Sequence, residues 1–430
     1  MKVLFTCIPA PTHLYPMVPL AWALRTAGHE VRVAGEPDLV PLITGCGLTA
    51  VRCGDSGYHV PADDPDTEQI MDELYEDGET HVFTFDLTGR DREQWSPEGL
   101  LALQHIQVPA LMAVINNEPF IDDLVAFTRE WRPDLVIWDP HTFAGAVAAR
   151  VTDTPHARIM YTPDTVLRVR KEFLRQQAEL PVELREDPTA EWLEWTVNRY
   201  GATFDEELVT GQWTIDQAPA STRLDLGLRT VGMRHVPHNG PSVVPDWLRR
   251  APRRRRVAVT LGVSGAMSEI GALVSTIAKA MDGLDIEIVM TEDPKHPDLP
   301  PELPADLHLV GFVPLDDLLE TCAAVVHHGG SSTLALSELR GIPQVILAPE
   351  EIGAARIEEL GAGLTIAELT AATLREALTR VLDEPSFGES ARRIREEVLD
   401  EPTPNGVVPL LEELVREHRD AVGTGPGTAG

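Results

Sequence analysis

Two histidine-bearing segments contain the residue types best suited to chemistry, and each follows a short apolar run. In the first, His13 lies in Pro-Ala-Pro-Thr-His-Leu-Tyr-Pro, directly after the run Val3–Ile8. Imidazole titrates near neutral pH and can take a proton from an attacking hydroxyl group. A histidine between the end of a strand and the start of a helix is therefore a candidate general base, although a lone histidine in a turn is more often structural.

A general-base histidine usually has a carboxylate that orients its other ring nitrogen. Asp139 ends the apolar run Asp134–Asp139 and is one candidate for this partner. Glu118, Asp122 and Asp123 are others, and the sequence leaves the choice between them open. The candidate catalytic residues are accordingly His13 and Asp139.

The second segment reads Val-Val-His-His-Gly-Gly-Ser-Ser-Thr over residues 325–333. Gly329 and Gly330 let the backbone approach a ligand closely, and the hydroxyls that follow can cap a helix and donate hydrogen bonds. The unpaired N–H groups of a helix N-terminus carry roughly half a positive charge, which suits a phosphate. His328 can add a side-chain donor to the same anion. The alternative is a capped helix after a tight turn, with two structural histidines.

The charge balance excludes several classes of partner. The chain has 36 Lys and Arg against 68 Asp and Glu, a net charge of −32. A field of this sign repels nucleic acid and anionic lipid, so we expect neither as a partner. No run approaches the ~20 apolar residues of a membrane span, and the short apolar start reads as a buried strand rather than a signal peptide. These features predict a cytoplasmic protein.

No group of residues predicts a metal site. The four cysteines form no CxxC pair, and no DxD pair stands at a strand end, where a divalent ion bound to a phosphate would need it. Asp63-Asp64 and Asp316-Asp317 are better interpreted as loop and helix acids. We therefore expect neither metal nor cofactor, with helix N–H groups taking the place of a cation.

The elements that must position these segments alternate short β-branched runs with amphipathic stretches. This alternation is typical of parallel sheets covered by helices. It breaks at the turn-rich stretch 239–245 and the basic run Arg253–Arg256, which we expect to be a solvated boundary, and restarts at Val257. The sequence therefore predicts an α/β fold of two facing doubly wound, Rossmann-like domains, with ligands beyond the carboxyl ends of the strands.

The predicted division of the chain follows from these breaks. The acidic stretch 54–99, broken by Pro and Gly, predicts loops and short helices on the rim of the first domain. The predicted parts are an N-terminal domain at 1–235, an interdomain linker at 236–256, a C-terminal domain at 257–405, a C-terminal helix at 406–420 and a disordered tail at 421–430.

Together these motifs resemble those of the GT-B glycosyltransferases of family 1. His327-His328-Gly329-Gly330 after a strand, followed by Gly341-Ile342-Pro343-Gln344, looks like their donor-binding motif. Almost all of residues 1–420 is similar to the actinomycete enzymes that put deoxysugars on macrolide and aromatic polyketide antibiotics. Segments 210–214, 239–247, 259–262 and 311–315 resemble the subgroup that often depends on a helper protein related to haem monooxygenases.

The resemblance implies roles for the two domains and for individual residues. The N-terminal domain would bind the aglycone, and the C-terminal domain would bind a nucleoside-diphosphate sugar, most readily a dTDP-deoxysugar, as co-substrate. His13 would be the general base of an inverting transfer. The implied donor-binding contacts are His328 to the α-phosphate, Gly330, Ser332 and Thr333 to the diphosphate, Val313 to the base and Ser264 to the phosphate. A helper protein and a homodimer are implied partners.

The chain departs from the family pattern after Gln344. Family members usually continue with Pro, a short Gly-containing loop and an Asp-Gln or Asp-Thr pair that holds sugar hydroxyls. Here residues 347–353 read Leu-Ala-Pro-Glu-Glu-Ile-Gly, about two residues shorter and without that pair. Glu350 or Glu351 would take over the contacts to the sugar. A two-residue change matters because sugar recognition is sensitive to ~1 Å displacements.

The predicted function is an inverting, metal-independent transfer of a deoxysugar to a hydroxyl of a polyketide-type aglycone. The missing pair motivates one alternative, a catalytically impaired accessory protein. A C-glycosyltransferase or a GT-B epimerase could share the phosphate site and differ on the acceptor side. Aromatic residues that could stack on the aglycone, or simply pack in the core, are Trp138, Tyr161, Trp192 and Trp195.

Overall fold

Two parallel β-sheets form the framework of the molecule. The computed structural model describes residues 1–56, 85–261, 270–348 and 351–423. The strands are Lys2–Thr6 (β1), Glu30–Gly35 (β2), Ala50–Arg52 (β3), Leu135–Trp138 (β4), His156–Met160 (β5), Trp213–Asp216 (β6), Thr230–Gly232 (β7), Arg255–Thr260 (β8), Ile286–Thr291 (β9), Leu307–Val310 (β10), Ala324–His327 (β11), Gln344–Ile346 (β12) and Gly363–Thr365 (β13). The first sheet has the strand order β3-β2-β1-β4-β5-β6-β7 and the second the order β10-β9-β8-β11-β12-β13. Neighbouring strands of the described residues are parallel in both sheets.

The helices connect these strands and cover the sheets. Ten of the α-helices described belong to the first part of the chain: Pro11–Leu14 (α1), Val18–Thr26 (α2), Val40–Gly45 (α3), Pro97–Gln107 (α4), Ala113–Ile115 (α5), Glu118–Trp131 (α6), Phe143–Thr152 (α7), Thr165–Glu179 (α8), Pro188–Asn198 (α9) and Glu207–Thr210 (α10). The second part contributes Ile270–Met281 (α11), Leu315–Glu320 (α12), Ser331–Arg340 (α13), Ile352–Glu359 (α14), Ala371–Asp383 (α15), Pro385–Asp400 (α16) and Pro404–Gly423 (α17).

Each sheet is buried on both faces, as its strand sequences predict. Val3 and Phe5 of β1 lie in one apolar cluster, and Leu4 between them lies in another on the opposite face. In β8, Val257 and Val259 face one cluster and Ala258 the other. Parallel strands covered by helices read as continuous apolar runs for this reason. The prediction of two doubly wound α/β lobes is confirmed.

The strand orders fix where ligands can bind. In an open parallel sheet, the crevice lies beyond the carboxyl ends of the strands, at the point where the strand order reverses. In the first sheet this switch point lies between β1 and β4, and in the second between β8 and β11. The segments carrying His13 and Asp139 follow the first pair of strands, and the segment carrying His328 follows β11.

The C-terminal helix returns to the first lobe. Val407, Val408 and Leu411 of α17 are buried in the same cluster as Val3 and Phe5 of β1. The preceding helix α16, which sequence reasoning missed, brings Glu397 within 3.0 Å of the backbone N–H of Ser221 in the first lobe. The predicted domain limits stay predictions. Residues 424–430 of the predicted tail lie outside the described residues.

One arginine of the predicted solvated boundary is buried instead. Arg256 is 5% exposed because it lies inside β8, where alternate side chains point toward the core. Its guanidinium donates to Glu287 and to the Thr321 hydroxyl, each at 2.7 Å, and lies over the Trp247 ring at 5.4 Å. The expectation of a solvated run is therefore wrong for Arg256.

The helical run Pro97–Ile115 is long and apolar enough, by length and composition, to cross a membrane. The sequence analysis did not identify this segment, because polar residues interrupt its apolar residues. In the structure Leu100 and Leu103 pack against Phe173 of α8, and Met112 joins the cluster around α6 and α7. The run is thus packed as a helix of the first lobe.

A buried carboxyl group lies where the lobes meet. Glu338 of α13 is 4% exposed, and burial raises its pKa to about 8, with the nearby Thr222 hydroxyl opposing and Glu397 and Asp216 adding to the rise. Because the folded-state pKa exceeds the unfolded value, the neutral form stabilises the fold below about pH 4.5, and this contribution is lost as the pH rises toward 8.

Replacement of Glu338 by glutamine is expected to remove this pH dependence. The wild-type chain should lose on the order of 3 kcal/mol of stability between pH 5 and pH 8 through this group, and Glu338→Gln should lose correspondingly less. Denaturant unfolding at the two pH values measures the difference. The exposed Glu376→Gln is the matched control, and equal pH dependence in both variants would contradict the prediction.

Candidate active site

His13 and Asp139 meet at the switch point of the first sheet. His13 lies in the short helix α1 after β1, and Asp139 follows β4, the neighbouring strand. Nδ1 of His13 is 3.1 Å from Oδ1 of Asp139. The sequence left the partner of His13 open, and the structure brings Asp139 to it because the carboxyl ends of adjacent parallel strands share one edge of the sheet.

Asp139 is fully buried and held by several hydrogen-bond donors. Its oxygens accept from the backbone N–H of Ile8 at 3.1 Å, from the backbone N–H of His141 at 2.9 Å and from the Thr142 hydroxyl. Burial alone would raise the pKa of Asp139, but the charges of His13 and His141 and these hydrogen bonds outweigh it and lower the pKa to about 2. The group is therefore a carboxylate at any ordinary pH.

The ionised carboxylate fixes the tautomer of His13. A carboxylate only accepts hydrogen bonds, so the contact with Asp139 requires the hydrogen on Nδ1 and leaves Nε2 with its lone pair. The Tyr161 oxygen lies 2.8 Å from the same Nδ1 and, with the hydrogen there, can only accept. Among the described residues none is hydrogen-bonded to Nε2, and the side chain is 17% exposed. Nε2 is thus available to take a proton.

The other candidate carboxylates are engaged elsewhere. Asp122 pairs with Arg199 at 3.0 Å, Glu118 lies 3.5 Å from the same arginine, and Asp123 accepts from the backbone N–H of Gly54 at 2.9 Å. All three lie on α6, on the outer side of the first lobe. None of them is hydrogen-bonded to His13 in the part of the chain that the structure describes.

The paired histidines after β11 have different environments. His327 is fully buried: the backbone N–H of Gly329 donates to its Nδ1 at 3.1 Å, so Nε2 carries the hydrogen and donates to Gln344 at 2.9 Å. Burial lowers the pKa of His327 to about 4, and the residue is a neutral structural group. The His328 ring instead lies against the glycine turn: a Cβ atom added to Gly330 would be only 2.5 Å from Nε2 of His328.

Helix α13 begins at this turn without a side-chain cap. Gly330 is the N-cap, and no side chain accepts a hydrogen bond there. The expectation that the following hydroxyls cap the helix is therefore wrong: the first intrahelical bond runs from Leu334 N to Gly330 O. The N–H groups of Ser331, Ser332 and Thr333 precede it and have no partner within the helix, as an anion site requires. Gly329 has φ +88°, which favours glycine.

The side chain of Val313 cannot make the predicted contact with the nucleobase. The Val313 side chain is 5% exposed and packs in the apolar cluster beneath α13, so only its backbone can face a base. The adjacent Phe312 is 76% exposed. Sequence reasoning missed Phe312, and its signal was a large apolar side chain at the end of a strand with nothing in the sequence pattern to bury it.

Residues of both lobes lie between the two sites. Tyr161 touches His13, and two residues further Pro163 faces α14, since a Cβ at Gly353 would lie 3.8 Å from its Cγ. Glu351, the N-cap of α14, returns to the glycine turn, where a Cβ at Gly329 would lie 3.7 Å from Glu351 Cγ. Of the other predicted donor-binding residues, Ser332 is exposed and Thr333 buried in the first turn of α13. Ser264 and Glu350 lie outside the described residues.

The aromatic candidates for aglycone stacking separate by burial. Trp138 is fully buried in the core, where its indole N–H donates to His156 at 3.2 Å, so it cannot present a surface to a ligand. Trp192 packs edge-on against Phe143. Trp195 is 56% exposed beside Arg199. Tyr161 is the one of the four that contacts His13.

Comparisons with known proteins identify the family of the chain. Residues 22–262 and 275–414 match the sequence models of the N-terminal and C-terminal domains of the erythromycin biosynthesis protein CIII-like family. The chain is 45% identical to 3-alpha-mycarosylerythronolide B desosaminyl transferase of Saccharopolyspora erythraea, over 98% of this chain and 100% of that protein. It is 44% identical to aclacinomycin-T 2-deoxy-L-fucose transferase of Streptomyces galilaeus, over 97% of each.

A solved structure extends the comparison to the fold. The glycosyltransferase VinC in complex with dTDP is 36% identical and superimposes with a TM-score of 0.84, over 97% of this chain and 100% of that one. The two doubly wound lobes are thus those of a GT-B enzyme. The chain belongs to the erythromycin biosynthesis protein CIII-like family of glycosyltransferases.

Proposed function

We propose that this glycosyltransferase moves a deoxysugar from a dTDP donor to a hydroxyl of a macrolide or aromatic polyketide aglycone, with inversion at the anomeric carbon. One observation carries the proposal. An oriented histidine with a free Nε2 at one switch point is linked, through Tyr161, Pro163 and Glu351, to an uncapped helix N-terminus at the other. The relatives, named as sugar transferases on such aglycones, support the substrate classes.

The proposed reaction begins at His13. Nε2 takes the proton of the acceptor hydroxyl as its oxygen attacks the anomeric carbon, and the carbon–oxygen bond to the diphosphate breaks on the opposite face. Asp139 stabilises the imidazolium that forms, because its pKa of about 2 keeps it anionic throughout. Attack opposite the leaving group inverts the anomeric configuration.

The departing diphosphate would be stabilised by α13. Its unpartnered first-turn N–H groups and the ring of His328 offer hydrogen bonds to the negative charge as it develops. The Val313 backbone and the exposed Phe312 ring would hold the nucleobase, and Glu350 and Glu351 the sugar hydroxyls. With these donors, we expect the transfer to need no metal and no cofactor.

Two alternatives are disfavoured by particular observations. An accessory protein without catalysis has no reason to keep an ionised Asp139 on Nδ1 of His13 with Nε2 available. A C-glycosyltransferase differs in its product, and the relatives give it no support.

We also propose the domain division 1–235, 257–405 and 406–420, a cytosolic location, and association with a helper protein or as a homodimer.

A substrate matrix tests the proposed function. Purified protein is incubated with dTDP-deoxysugars and with one acceptor of each class, such as 10-deoxymethynolide and aklavinone, with and without a helper protein, in EDTA. Release of dTDP together with a product of the expected mass and inverted anomeric configuration supports it. No product in any combination, or a product stable to acid hydrolysis, contradicts it.

Donor affinity should depend on His328. We expect His328→Ala to weaken dTDP binding by about 1.5–3 kcal/mol, the range for hydrogen bonds to charged groups, or roughly 10- to 150-fold. Isothermal titration with dTDP measures the change. His308→Ala, an exposed histidine on β10 of the same lobe, is the control and should bind normally. Unaltered binding by His328→Ala would show that this ring does not reach the diphosphate.

A further inference from the structure

A second imidazole nitrogen faces the His13–Asp139 pair. Nδ1 of His141 lies 3.8 Å from Oδ1 of Asp139, and the two imidazole rings meet edge to face with centroids 5.3 Å apart. This Nδ1 is buried and makes no hydrogen bond with any described residue. The ligand atoms of His13, Asp139 and His141 all lie within 4.8 Å of one another.

This set of atoms has the composition of a transition-metal site. Two imidazole nitrogens and one carboxylate oxygen suit Zn²⁺ and similar divalent ions, which take such ligands at about 2.0–2.2 Å. The carboxylate is held from behind by the N–H of Ile8 and the Thr142 hydroxyl, as ligating carboxylates usually are. The Tyr161 oxygen also lies close to this set of atoms, 2.8 Å from Nδ1 of His13.

We propose that His13, Asp139 and His141 form a binding site for Zn²⁺ or a similar transition-metal ion, and that its occupation switches the transferase off. The site shares His13 and Asp139 with the proposed catalysis, which itself uses no metal. Binding itself does not depend on the proposed function; only the inhibition does, since it rests on His13 acting as the base.

The tautomer of His13 explains the inhibition. A metal ion on Nδ1 needs the lone pair of that nitrogen, so the hydrogen of the neutral ring must move to Nε2 through solvent, with no net release of a proton. Nε2 then has no lone pair for the acceptor hydroxyl, and the Asp139 carboxylate is shared with the metal. The two occupants of Nδ1, hydrogen and metal, therefore exclude each other.

Closing the site requires a small movement of His141. In a tetrahedral site with bonds of about 2.0–2.1 Å, ligand atoms stand about 3.3 Å apart. The His141 nitrogen must therefore approach the Asp139 oxygen by about 0.5 Å and the His13 nitrogen by at most about 1.5 Å. The His141 side chain is 33% exposed and can rotate, whereas Asp139 is fully buried and fixed. The pair His13–Asp139, at 3.1 Å, already has a suitable spacing.

Metal binding to the substrate-free chain tests the proposal. Zn²⁺ is titrated against a chromophoric chelator, and Co²⁺ is followed by its visible absorption. One bound ion per chain is expected, with no competition from millimolar Mg²⁺. His141→Ala should weaken Zn²⁺ binding by at least about ten-fold, whereas His105→Ala, an exposed histidine paired with Glu186 on the first lobe, should not.

A second measurement separates binding from inhibition. Zn²⁺ should inhibit transfer reversibly, with EDTA restoring the rate, and the inhibiting concentration for His141→Ala, relative to its own metal-free rate, should rise with its dissociation constant. No Zn²⁺ binding, or equal binding by wild type and His141→Ala, overturns the proposal while leaving the transfer reaction unaffected. Binding without inhibition overturns the switch and counts against His13 as the base.

Discussion

Replacement of His13 by alanine is expected to lower the turnover number by about 10²–10⁴-fold, the range for a positioned general base. The ring proposed to receive the acceptor proton is lost, while the proposed donor-binding turn after β11 is unchanged. Turnover is measured with saturating dTDP-deoxysugar and the acceptor identified by the substrate matrix. Because His13 lies in the first lobe and the proposed donor contacts lie in the second, the affinity for dTDP should stay within about two-fold.

A matched variant separates catalysis from folding. His105→Ala removes an exposed histidine of the same lobe and should keep the wild-type rate. His13→Ala must also retain the wild-type melting temperature, since the ring is only part of the contacts around Asp139. A fully active His13→Ala protein would remove His13 as the base, and the proposed mechanism with it.

The second large effect is expected for Asp139→Asn. An amide can donate its hydrogens to Nδ1 of His13, which would place the ring hydrogen on Nε2 and leave the base in the wrong tautomer. In a Ser-His-Asp triad the corresponding change lowers the rate by about 10⁴-fold, and a loss of roughly 10³–10⁴-fold is expected here. The measurement is the turnover number together with its dependence on pH.

The pH profile of the rate distinguishes a lost orientation of the His13 ring from a general loss of activity. Because the pKa of Asp139 is about 2, its own protonation does not contribute to the acid limb of the wild-type profile near neutral pH. Asp139→Asn should move that limb, because it removes a fixed negative charge from the site. Asp122→Asn, at an exposed carboxylate on α6 paired with Arg199, should change neither the rate nor the limb. A reduced rate with an unmoved limb would contradict the orienting role.

The fold was predictable because it depends on periodicity. The runs Val257–Leu261 and His308–Val310 predict parallel strands within a residue or two of their observed limits, of which β8 is mostly buried and β10, at the edge of its sheet, only partly. Helix α16 was missed because seven of its sixteen residues, from Pro385 to Asp400, are charged and only five are buried. Arg256 was misjudged because the burial of a charge depends on a partner, Glu287, that is distant in the sequence.

The site was predictable only in part. The residues at strand ends could be named, but the choice of Asp139 over the carboxylates of α6 needed the order of the strands, which no local pattern contains. Tyr161 and His141 were not foreseen as neighbours of His13, since they come from different loops. The distinction between His327 and His328 depends on a single hydrogen bond to Gln344, which the sequence alone does not reveal.

The return of α17 to the first lobe has a consequence for biosynthesis. Residues 407–415 complete a core whose first strand, β1, lies about 400 residues earlier in the chain. The first lobe therefore cannot close its own interior while the second lobe is still being made, and Val3, Phe5 and Leu20 stay without part of their neighbours on the ribosome. The nascent chain must tolerate that unfinished surface until α17 has been made.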